Sequence, residues 1–408
     1  MEWKEVTLGE VSSKIGDGLH GTPKYDDEGS YYFINGNNLN CGKIIIKDDT
    51  KRVGIEEFVK NQKELNEQTI LVSINGTIGN VAKYNNEPCI LGKSACYINV
   101  IKEVDKEFIY YILTSANFKR NITNEATGTT IKNVSLKQMR EYKFNIPCNL
   151  ADQRRIASIL SSLDRKIELN NKINADLEEM AQAIFKNWFV DFEPFKNGKF
   201  VDSELGMIPE GWKVVTLDDL TSKFGTGLNP RKNFVLGHGN NYYVTIKNMG
   251  NNRIYLNDRC DKVDDEALAK INKRSKLQKG DLLFSGIGTI GRVAMVVDDP
   301  INWNTSESVF NMHPIDTVSS EFIYLLLLSD KFQQYVQQNA QGGVQQGIRM
   351  ASLKAFQFAI PNDLKLFDNL VKPIISKVKS NDKENDTLSL LRDTLLPRLM
   401  SGELEVPE

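Results

Sequence analysis

Hydrophobic side chains recur every three or four residues over two long stretches of the chain. The first stretch begins near residue 151 and meets no Pro or Gly before Pro194. Its apolar and amide positions alternate in steps of four and three, a heptad pattern that predicts a coiled-coil helix. We expect its two central asparagines to be buried polar positions that fix the pairing register at some cost in stability. The predicted seam consists of Ile156, Leu160, Leu163, Ile167, Asn170, Asn174, Leu177, Ala181, Ile184 and Trp188.

The second stretch, from residue 363 onward, is apolar at both ends and polar at its centre. Pro373 predicts a kink or an early break, because proline cannot donate the helical hydrogen bond. Neither seam is apolar throughout, so we expect the two helices to pack on each other, antiparallel, with globular domains at opposite ends. The alternative is that each helix folds back on its own domain. The second predicted seam is Leu370, Ile374, Lys377, Asn381, Glu384, Leu388, Leu391 and Leu395.

Outside these stretches, short runs rich in β-branched and aromatic residues indicate strands separated by Asn, Gly and Asp turns. Helical spacing returns at residues 107–121 and 321–338. We therefore predict an α+β protein whose mixed α/β globular domains contain curved, largely antiparallel sheets. Long antiparallel coiled-coil helices complete a duplicated, pseudo-two-fold architecture.

The globular parts repeat each other in order along the chain. Residues 70–82 align without a gap on residues 282–294, and Trp3-Lys4 returns as Trp212-Lys213. The offset of roughly 210 residues is far longer than a solenoid period. We predict globular domains at 1–149 and 212–362, helical spacers at 150–192 and 363–408, and a linker at 193–211.

Composition limits the possible functions. The 408 residues include 51 Lys and Arg beside 53 Asp and Glu, for a net charge of −2. This balance counts against tight DNA binding by the chain alone, unless the charges are segregated by face or supplemented by a partner. The absence of a long apolar run or signal segment, and an odd number of unpaired-looking cysteines, predict a cytoplasmic protein without a metal site.

Catalytic motifs are missing from the sequence. Gly92-Lys93-Ser94 ends like a phosphate-binding loop, but Glu87 replaces the upstream glycine of that motif. Residues 286–291 have dinucleotide-like glycine spacing, yet the first copy has Ile74 at the first position and a strand follows. We interpret residues 76–79 and 288–291 as tight turns between strands, and we predict no catalytic residue in this chain.

The helical stretches also carry a family resemblance. Residues 152–168, 183–195, 206–212 and 391–404 resemble the specificity subunit of type I restriction-modification systems, and the match covers the whole chain in order. One departure is that the second spacer lacks the Asp-Gln-Arg-Arg start found at 152–155. The two spacers are therefore unequally related.

The resemblance implies a non-catalytic subunit with two target recognition domains, each binding one half of a bipartite, asymmetric double-stranded DNA target. The spacers would set the gap and dock two methyltransferase subunits and the motor-nuclease restriction subunits. Adenine-N6 methylation and ATP-dependent cleavage would reside in those partners, with S-adenosylmethionine, ATP and Mg, and this chain would hold no cofactor. The alternatives are an assembly scaffold that binds no DNA and an enzyme with a cryptic nuclease or methyltransferase site.

Arg and Lys read guanine edges while Asn and Gln read adenine edges, so loop residues of these types are candidate DNA contacts. The alternative for most of them is a solvated turn residue, because the chain is rich in Asn and Lys. Glycines are candidates for phosphate approach. In the first domain the candidates are His20, Thr22, Lys24, Asn35, Asn37, Asn38, Asn75, Thr77, Gly128, Thr129, Thr130, Lys132 and Asn133. In the second they are Asn229, Arg231, Lys232, Lys247, Asn248, Ile287, Thr289, Gln341, Gly342, Gly343, Gln345, Gln346 and Arg349.

Three aromatic residues at the end of the first helix, Trp188, Phe189 and Phe192, are candidates for partner docking, since exposed aromatics anchor interfaces. Packing at the end of the helical pair explains them equally well.

Overall fold

The computed structural model describes residues 1–126, 132–343 and 346–406. The chain divides into two compact units: Met1–Leu169 with Glu384–Glu408, and Asn170–Lys383. Each of the two long helices therefore contributes one segment to each unit. Among the described residues, no helix combines the length and the hydropathy needed to cross a membrane.

Among its described residues, the first unit has eleven strands and four short α-helices before the first long helix. The strands are β1 (Trp3–Thr7), β2 (Ser12–Asp17), β3 (Tyr31–Ile34), β4 (Leu39–Asn40), β5 (Lys43–Ile44), β6 (Arg52–Val53), β7 (Thr69–Ser73), β8 (Val81–Lys83), β9 (Cys89–Leu91), β10 (Ala95–Val100) and β11 (Lys143–Pro147). The helices are α1 (Ile55–Asn61), α2 (Lys106–Thr114), α3 (Ala116–Glu125), α4 (Leu136–Glu141) and the long α5 (Leu150–Phe189).

The central sheet of the first unit has the strand order β2-β10-β7-β8, with every pair antiparallel. A second sheet has the order β6-β3-β9, in which β3 runs parallel to β9 and antiparallel to β6. Strands β1 and β11 pair at the two ends of the globular part. Helix α2 packs its apolar residues, Phe108 among them, into the same core as Ile70, Val72 and Ile98 of the central sheet.

The second unit repeats this arrangement after a short hairpin. Its strands are β12 (Phe200–Val201), β13 (Ile208–Pro209), β14 (Lys213–Thr216), β15 (Thr221–Thr226), β16 (Asn241–Val244), β17 (Met249–Gly250), β18 (Arg253–Ile254), β19 (Asp261–Val263), β20 (Leu282–Ser285), β21 (Val293–Met295), β22 (Trp303–Thr305), β23 (Val309–Pro314) and β24 (Gln357–Ile360). Its helices are α6 (Asp265–Ser275), α7 (Ser320–Leu328), α8 (Asp330–Asn339), α9 (Met350–Lys354) and the long α10 (Lys365–Met400).

The sheets of the second unit match those of the first strand for strand. The central sheet has the order β15-β23-β20-β21, the smaller sheet has the order β19-β16-β22, and β14 pairs with β24. In the smaller sheet β16 is again parallel to one neighbour, β22, and antiparallel to the other, β19. The predicted duplication and the largely antiparallel α+β architecture are confirmed.

Each helix predicted over 107–121 and 321–338 is instead two helices. Ser115 ends α2 and begins α3: its hydroxyl donates to Ile112 O at 2.7 Å and accepts from Phe118 N at 3.2 Å. Ser329 does the same between α7 and α8. A serine side chain offers the backbone an alternative to the helical hydrogen bond, which is why serine favours helix N-caps. The apolar spacing continued through the break and concealed it.

Helix α5 buries the predicted seam, but α10 buries only part of the seam predicted for it. The described side chains of the α5 seam are all buried or half-buried. In α10, the buried positions near the start are Val371 and Ile375, 0% and 1% exposed, whereas Leu370 of the predicted seam is 47% exposed. Lys377 and Glu384 of that seam are also exposed. The prediction for α10 was right only in part: half of its positions, Asn381 among them, are buried or half-buried, whereas at the other half the next residue along the chain is the less exposed one.

Proline does not interrupt α10. The helix runs through Pro373, so the predicted early break is wrong. Pro373 and Asn369, whose carbonyl would have accepted the missing N–H, are both exposed. Water can satisfy that carbonyl, so the lost hydrogen bond leaves no buried polar group unpaired.

In the second unit the α5 and α10 segments pack antiparallel around a polar centre. Asn381 Nδ2 donates to Asn174 Oδ1 at 2.8 Å, and Phe185 lies beside Phe367 with ring centroids 6.1 Å apart. Asn174 Nδ2 also donates to Asp382 Oδ1 at 3.0 Å. Asn170 and Asn174, the two asparagines predicted to be buried in the α5 seam, are 1% and 7% exposed, and Asn381 of α10 is 1% exposed. Both segments also join the core of the globular part, so helix pairing and packing on the domain occur together.

In the first unit the remaining helical segments pair in the same antiparallel sense. Arg392 Nη1 of α10 donates to Asp164 Oδ1 of α5 at 2.8 Å, and Leu160 shares a core with Leu399. The second Asp164 oxygen accepts the hydroxyl of Tyr111 in α2 at 2.7 Å. One carboxylate therefore joins both helical segments to the globular part.

The register of α10 can be tested with two aliphatic residues that lie five positions apart. We expect Ile375→Ala to destabilise the second unit by about 3 kcal/mol, because it opens a cavity in the core, which corresponds to a fall in its melting temperature of about 6–12 °C. Leu370→Ala, at an exposed site, should change stability by less than about 0.5 kcal/mol. Differential scanning calorimetry of the full chain measures both. If the two substitutions lowered the melting temperature equally, Leu370 would also be a buried seam position, as the sequence predicted.

Candidate nucleic-acid interface

The turn between the last two strands of each central sheet is closed by a buried serine. In the second unit, Ser285 Oγ donates to Thr289 O at 2.7 Å and accepts from Arg292 N at 2.8 Å. In the first unit, Ser73 Oγ donates to Thr77 O and accepts from Asn80 N at 2.9 Å. The predicted tight turns are confirmed, and the structure adds the serine that holds each of them.

The loop that follows α3, or α8 in the second unit, is tied to this turn by backbone hydrogen bonds. In the first unit Val134 N donates to Ile74 O at 2.9 Å and Gly76 N donates to Lys132 O at 3.3 Å. The second unit repeats both bonds, from Ile348 N to Gly286 O at 2.9 Å and from Gly288 N to Gln346 O at 2.8 Å. Two segments about 60 residues apart in sequence thus lie side by side in each unit.

The Gly-rich loop after β2 joins the same surface through the loop between β9 and β10. Leu19 N donates to Leu91 O at 2.7 Å, and Lys93 N donates to Leu19 O at 2.9 Å. This contact requires glycine next to Leu19, because a Cβ atom on Gly18 would lie 2.0 Å from Leu91 O. The loop after β3 is bound to the same β9–β10 loop, because Gly36 N donates to Ser94 Oγ at 2.9 Å.

Ile74 connects the loop between β9 and β10 to the loop after α3. Its N–H donates to Ser94 O at 3.0 Å, and its carbonyl accepts from Val134 N. We call the resulting group of loops, residues 17–24, 35–37, 74–79, 92–94 and 132–134, the first loop surface. Its members come from five separate parts of the sequence, yet each is joined to another by at least one hydrogen bond.

The second unit builds an equivalent second loop surface from residues 227–233, 245–248, 286–291, 305–308 and 346–349. Gly286 N donates to Ser308 O at 2.9 Å, and Ser306 N donates to Val244 O at 2.8 Å. Here the loops and helix α6 border an open depression of about 470 Å³. It is lined by Gly227, Leu228, Asn229, Arg231, Lys232, Asn233, Arg274 and Glu307.

The two loop surfaces have opposite charges at one matching position. Lys93 precedes Ser94 in the first, and Glu307 precedes Ser308 in the second. Glu307 Oε2 accepts the Tyr243 hydroxyl at 3.3 Å, and that hydroxyl also donates to Leu228 O at 2.8 Å. Burial, followed by the nearby Glu307 carboxylate, raises the pKa of Tyr243, so the phenol stays protonated and keeps donating.

Most of the predicted DNA-binding residues that the structure describes are exposed and lie on these loop surfaces or at their edges. In the first unit they are His20, Thr22, Lys24, Asn37, Thr77, Lys132 and Asn133. In the second they are Arg231, Lys232, Lys247, Thr289, Gln341, Gly342, Gly343, Gln346 and Arg349. Asn35, Asn75, Asn229 and Ile287 are half-buried among them. Gly128, Thr129, Thr130 and Gln345 lie outside the described residues.

Asn38 and Asn248 have a structural role instead. They are 5% and 3% exposed. The side-chain oxygen of Asn38 accepts from Asn35 N at 3.0 Å, and its amide donates to Ile45 O at 3.1 Å. Asn248 accepts from Thr245 N at 2.9 Å. These amides close the turns after β3 and β16 and do not face outward.

Sequence reasoning missed Lys93, Ser94 and Glu307. The signal available was the alignment of residues 92–94 with 306–308 after matching strands. The loop was considered only as a phosphate-binding motif and set aside when that motif failed. Within the described ranges no group of three or more His, Cys, Asp or Glu side chains is placed to hold a metal ion.

The three docking candidates form part of an aromatic cluster inside the second unit. Phe189 lies against Phe322, Phe367 and Trp212, with ring centroids 5.0, 4.8 and 5.6 Å apart. Trp188 contacts Phe195 and Phe367, and Phe192 contacts Phe200 and Trp212. All three are half-buried. Their contacts fit the alternative of packing at the end of the helical pair, and partner docking stays a prediction for the parts of these side chains that remain accessible.

The segment predicted as a linker at residues 193–211 is folded against the same cluster. It contains a single helical turn at Glu193–Phe195 and the hairpin of β12 and β13. Ile208 in this hairpin is 4% exposed. The segment thus contributes to the apolar interior of the second unit.

Comparison with known proteins yields a family match and named relatives. The family model described as "Type I restriction modification DNA specificity domain" matches residues 1–179 and 209–384. The type I restriction enzyme MjaIX specificity subunit of Methanocaldococcus jannaschii is 27% identical over 396 residues, which span 95% of this chain and 87% of that protein. The type I restriction enzyme HindI specificity subunit of Haemophilus influenzae is 25% identical over 364 residues, 73% of this chain and 77% of that protein.

A solved structure shares the fold. The crystal structure of a type I restriction-modification system S subunit from M. genitalium matches with a TM-score of 0.56 at 19% sequence identity. The match covers 100% of this chain and 97% of that chain.

The serine that closes each turn can be tested by amide hydrogen exchange. We expect Ser285→Ala to speed exchange of the Arg292 amide roughly 5- to 10-fold, because the amide loses its acceptor and a hydrogen bond contributes about 1 kcal/mol. Thr289→Ala is the matched control, since Ser285 binds only the backbone carbonyl of that residue. Unchanged exchange in Ser285→Ala, or equal acceleration in the control, would show that the hydroxyl does not hold the turn.

Proposed function

The chain belongs to the family of type I restriction modification DNA specificity domains, and we propose that it is the sequence-specificity subunit of a type I restriction-modification complex. In this proposal each loop surface binds one half of a bipartite, asymmetric target in double-stranded DNA. The chain selects the site, and partner subunits modify or cut the DNA.

The observation that carries the proposal is the contrast between the shared frame and the differing side chains of the loop surfaces. The backbone bonds around Ile74 recur around Gly286, and the serine of the turn recurs as well. The side chains on the two frames differ, as at the exposed Lys93 and the half-buried Glu307. Two readers with one framework and different chemistry suit a target whose halves have different sequences.

The side-chain chemistry supports DNA as the ligand. Arg231 and Lys232 can bind phosphates or guanine acceptors, while Asn133 and Gln346 can bind adenine edges. A carboxylate such as Glu307 can accept from the amino group of cytosine. The overall charge of −2 implies that methyltransferase partners supply much of the phosphate contact, and with it the salt-dependent part of the affinity.

We assign residues 1–149 and 212–362 to the two recognition domains, 150–192 and 363–408 to the helical spacers, and 193–211 to a linker. The spacers set the number of unspecified base pairs between the half-sites and offer their exposed faces to two methyltransferase subunits and to restriction subunits. In this scheme S-adenosylmethionine, ATP and Mg are bound by those partners, and methylation and cleavage take place there.

The decisive experiment is to map methylated adenines in the genome of cells that produce this chain together with a methyltransferase partner. We expect one bipartite motif, methylated within both halves, at nearly all of its occurrences. Cells producing the methyltransferase alone provide the control and should lack the motif. If no motif appears with the full pair, the chain does not specify DNA sequence, and the scaffold alternative takes its place.

The independence of the two readers can be tested by domain exchange. We expect replacement of residues 1–149 by another recognition domain to change one half of the methylated motif and to leave the other half and the gap unchanged. The incoming domain should keep a tyrosine at the position of Tyr111, because its hydroxyl binds Asp164 of α5. The reciprocal exchange of residues 212–362 should alter the opposite half. A change in both halves would contradict separate readers.

A further inference from the structure

One segment of the second unit has a composition unlike the rest of the chain. Seven of the fourteen glutamines in the sequence lie within residues 333–346, and no charged residue occurs between Lys331 and Arg349. A solvated helix face normally carries charged residues of both signs. The matching residues of the first unit, 119–132, contain no glutamine and begin with Lys119 and Arg120. The glutamines are thus a local difference between two otherwise equivalent structures.

Helix α8 carries the first four of these glutamines and is fixed beside the second loop surface. Gln333 Nε2 donates to Gly291 O at 3.0 Å and to Leu327 O at 2.6 Å, so this side chain anchors the helix to the turn. Phe332 and Val336 are fully buried on the inner side. Just beyond the helix, Gln341 pairs with Gly347 of the loop surface in an antiparallel bridge.

The outer side of α8 presents three of the remaining glutamines together. Gln334, Gln337 and Gln338, which we call the glutamine face, are exposed and spaced three and four residues apart, so they share one side of the helix. They line a shallow depression of about 320 Å³ with Asp330 and Gln333. Within the described part of the chain, none of the three side-chain amides has a hydrogen-bond partner in the protein.

A primary amide has the donor and acceptor pair that adenine presents in the major groove. It can donate to N7 and accept from the N6 amino group at the same time, and an α-helix fits into that groove. Neutral side chains gain little from phosphates, which favour Arg and Lys. The three amides of the glutamine face are uncharged and therefore suit base edges better than the phosphate backbone. The exposed Lys331, three residues before Gln334, is the cation on this side of the helix.

We propose that the glutamine face of α8 is a recognition helix that reads at least one adenine in the half-site of the second unit. This inference rests on the proposed function and assigns part of its specificity to residues outside the loops. The equivalent helix α3, with exposed Lys119 and Arg120, faces the first half-site with different chemistry. The difference between the two helices is then one source of the asymmetry of the target.

Three single substitutions, Gln334→Ala, Gln337→Ala and Gln338→Ala, test the proposal in the methylation assay. Alanine is a better helix former than glutamine, so these variants should fold. We expect at least one of them to relax an A·T position of a single half-site while the other half remains unchanged. Gln357→Ala is the matched control, because Gln357 is an exposed glutamine of the same unit on β24, where it binds Glu204 at 3.0 Å.

Binding measurements identify the base. The full chain, purified with its methyltransferase subunits, is titrated with the target duplex and with duplexes in which 7-deazaadenine replaces one adenine of that half-site. For the unaltered chain we expect one such replacement to weaken binding about 10-fold, because it removes N7, one of the two partners in the bidentate contact, and leaves the N6 amino group in place. In the variant that lacks the glutamine responsible for this base, the same replacement should weaken binding hardly at all beyond the effect of the substitution itself.

The outcomes separate the two hypotheses. A normal bipartite motif that stays the same in all three variants overturns the recognition helix and leaves the proposed function standing. Equal weakening for every sequence would show a general contact to the DNA backbone and also overturns it. If the unaltered chain specifies no motif, the proposed function fails, and the assignment of the glutamine face fails with it.

Discussion

A single backbone position organises each loop surface. Ile74 donates its N–H to Ser94 O and accepts from Val134 N, and Gly286 makes the same two bonds in the second unit, all at 2.9 to 3.0 Å. The serine at the end of the preceding strand then closes the turn that follows. Because the main chain makes the two bonds of this junction, an isoleucine can make them in the first unit and a glycine in the second. The second unit needs the glycine, since a Cβ atom on Gly286 would lie 2.4 Å from Phe310 Cε2. The loops keep their positions while their side chains differ.

The sequence was a good guide wherever a structural feature has a periodic or repeated signal. The duplication, the tight turns at residues 76–79 and 288–291, and the α5 seam all have such signals, and they were predicted. The breaks at Ser115 and Ser329 were not, because the apolar spacing continues across them and only the capping hydroxyl marks the new helix. The α10 seam was predicted only in part for a related reason. Apolar residues occupy adjacent positions in α10, such as Leu370 beside Val371 and Ile374 beside Ile375, so the spacing alone fits two seams. In the structure the seam of Val371 and Ile375 is the buried one.

The candidate interface could be predicted by region but not residue by residue. Loop position and side-chain type selected Lys132 and Arg231, which are exposed on the loop surfaces, but the same criteria selected Asn38 and Asn248, whose amides are buried. Asparagine is common in turns because it binds nearby backbone groups, so its presence in a loop does not separate a reader from a turn closer. Lys93 and the glutamine face required tertiary contacts, since a turn and a helix must be seen side by side before they form one surface.

The division of roles within each loop surface determines which changes the fold tolerates. Exposed residues such as Thr77, Lys93 and Lys132 form the hydrogen bonds that place the loops through their backbone atoms, not through their side chains. Replacing such side chains typically costs less than about 0.5 kcal/mol, whereas removing one partner of a buried polar pair costs about 1–3 kcal/mol. The Asn174–Asn381 pair and the Asp164 carboxylate belong to the second kind. The residues that would choose a DNA sequence can therefore vary with little loss of stability. The residues that hold the helical segments in register can be replaced without a large loss of stability only if both partners change together.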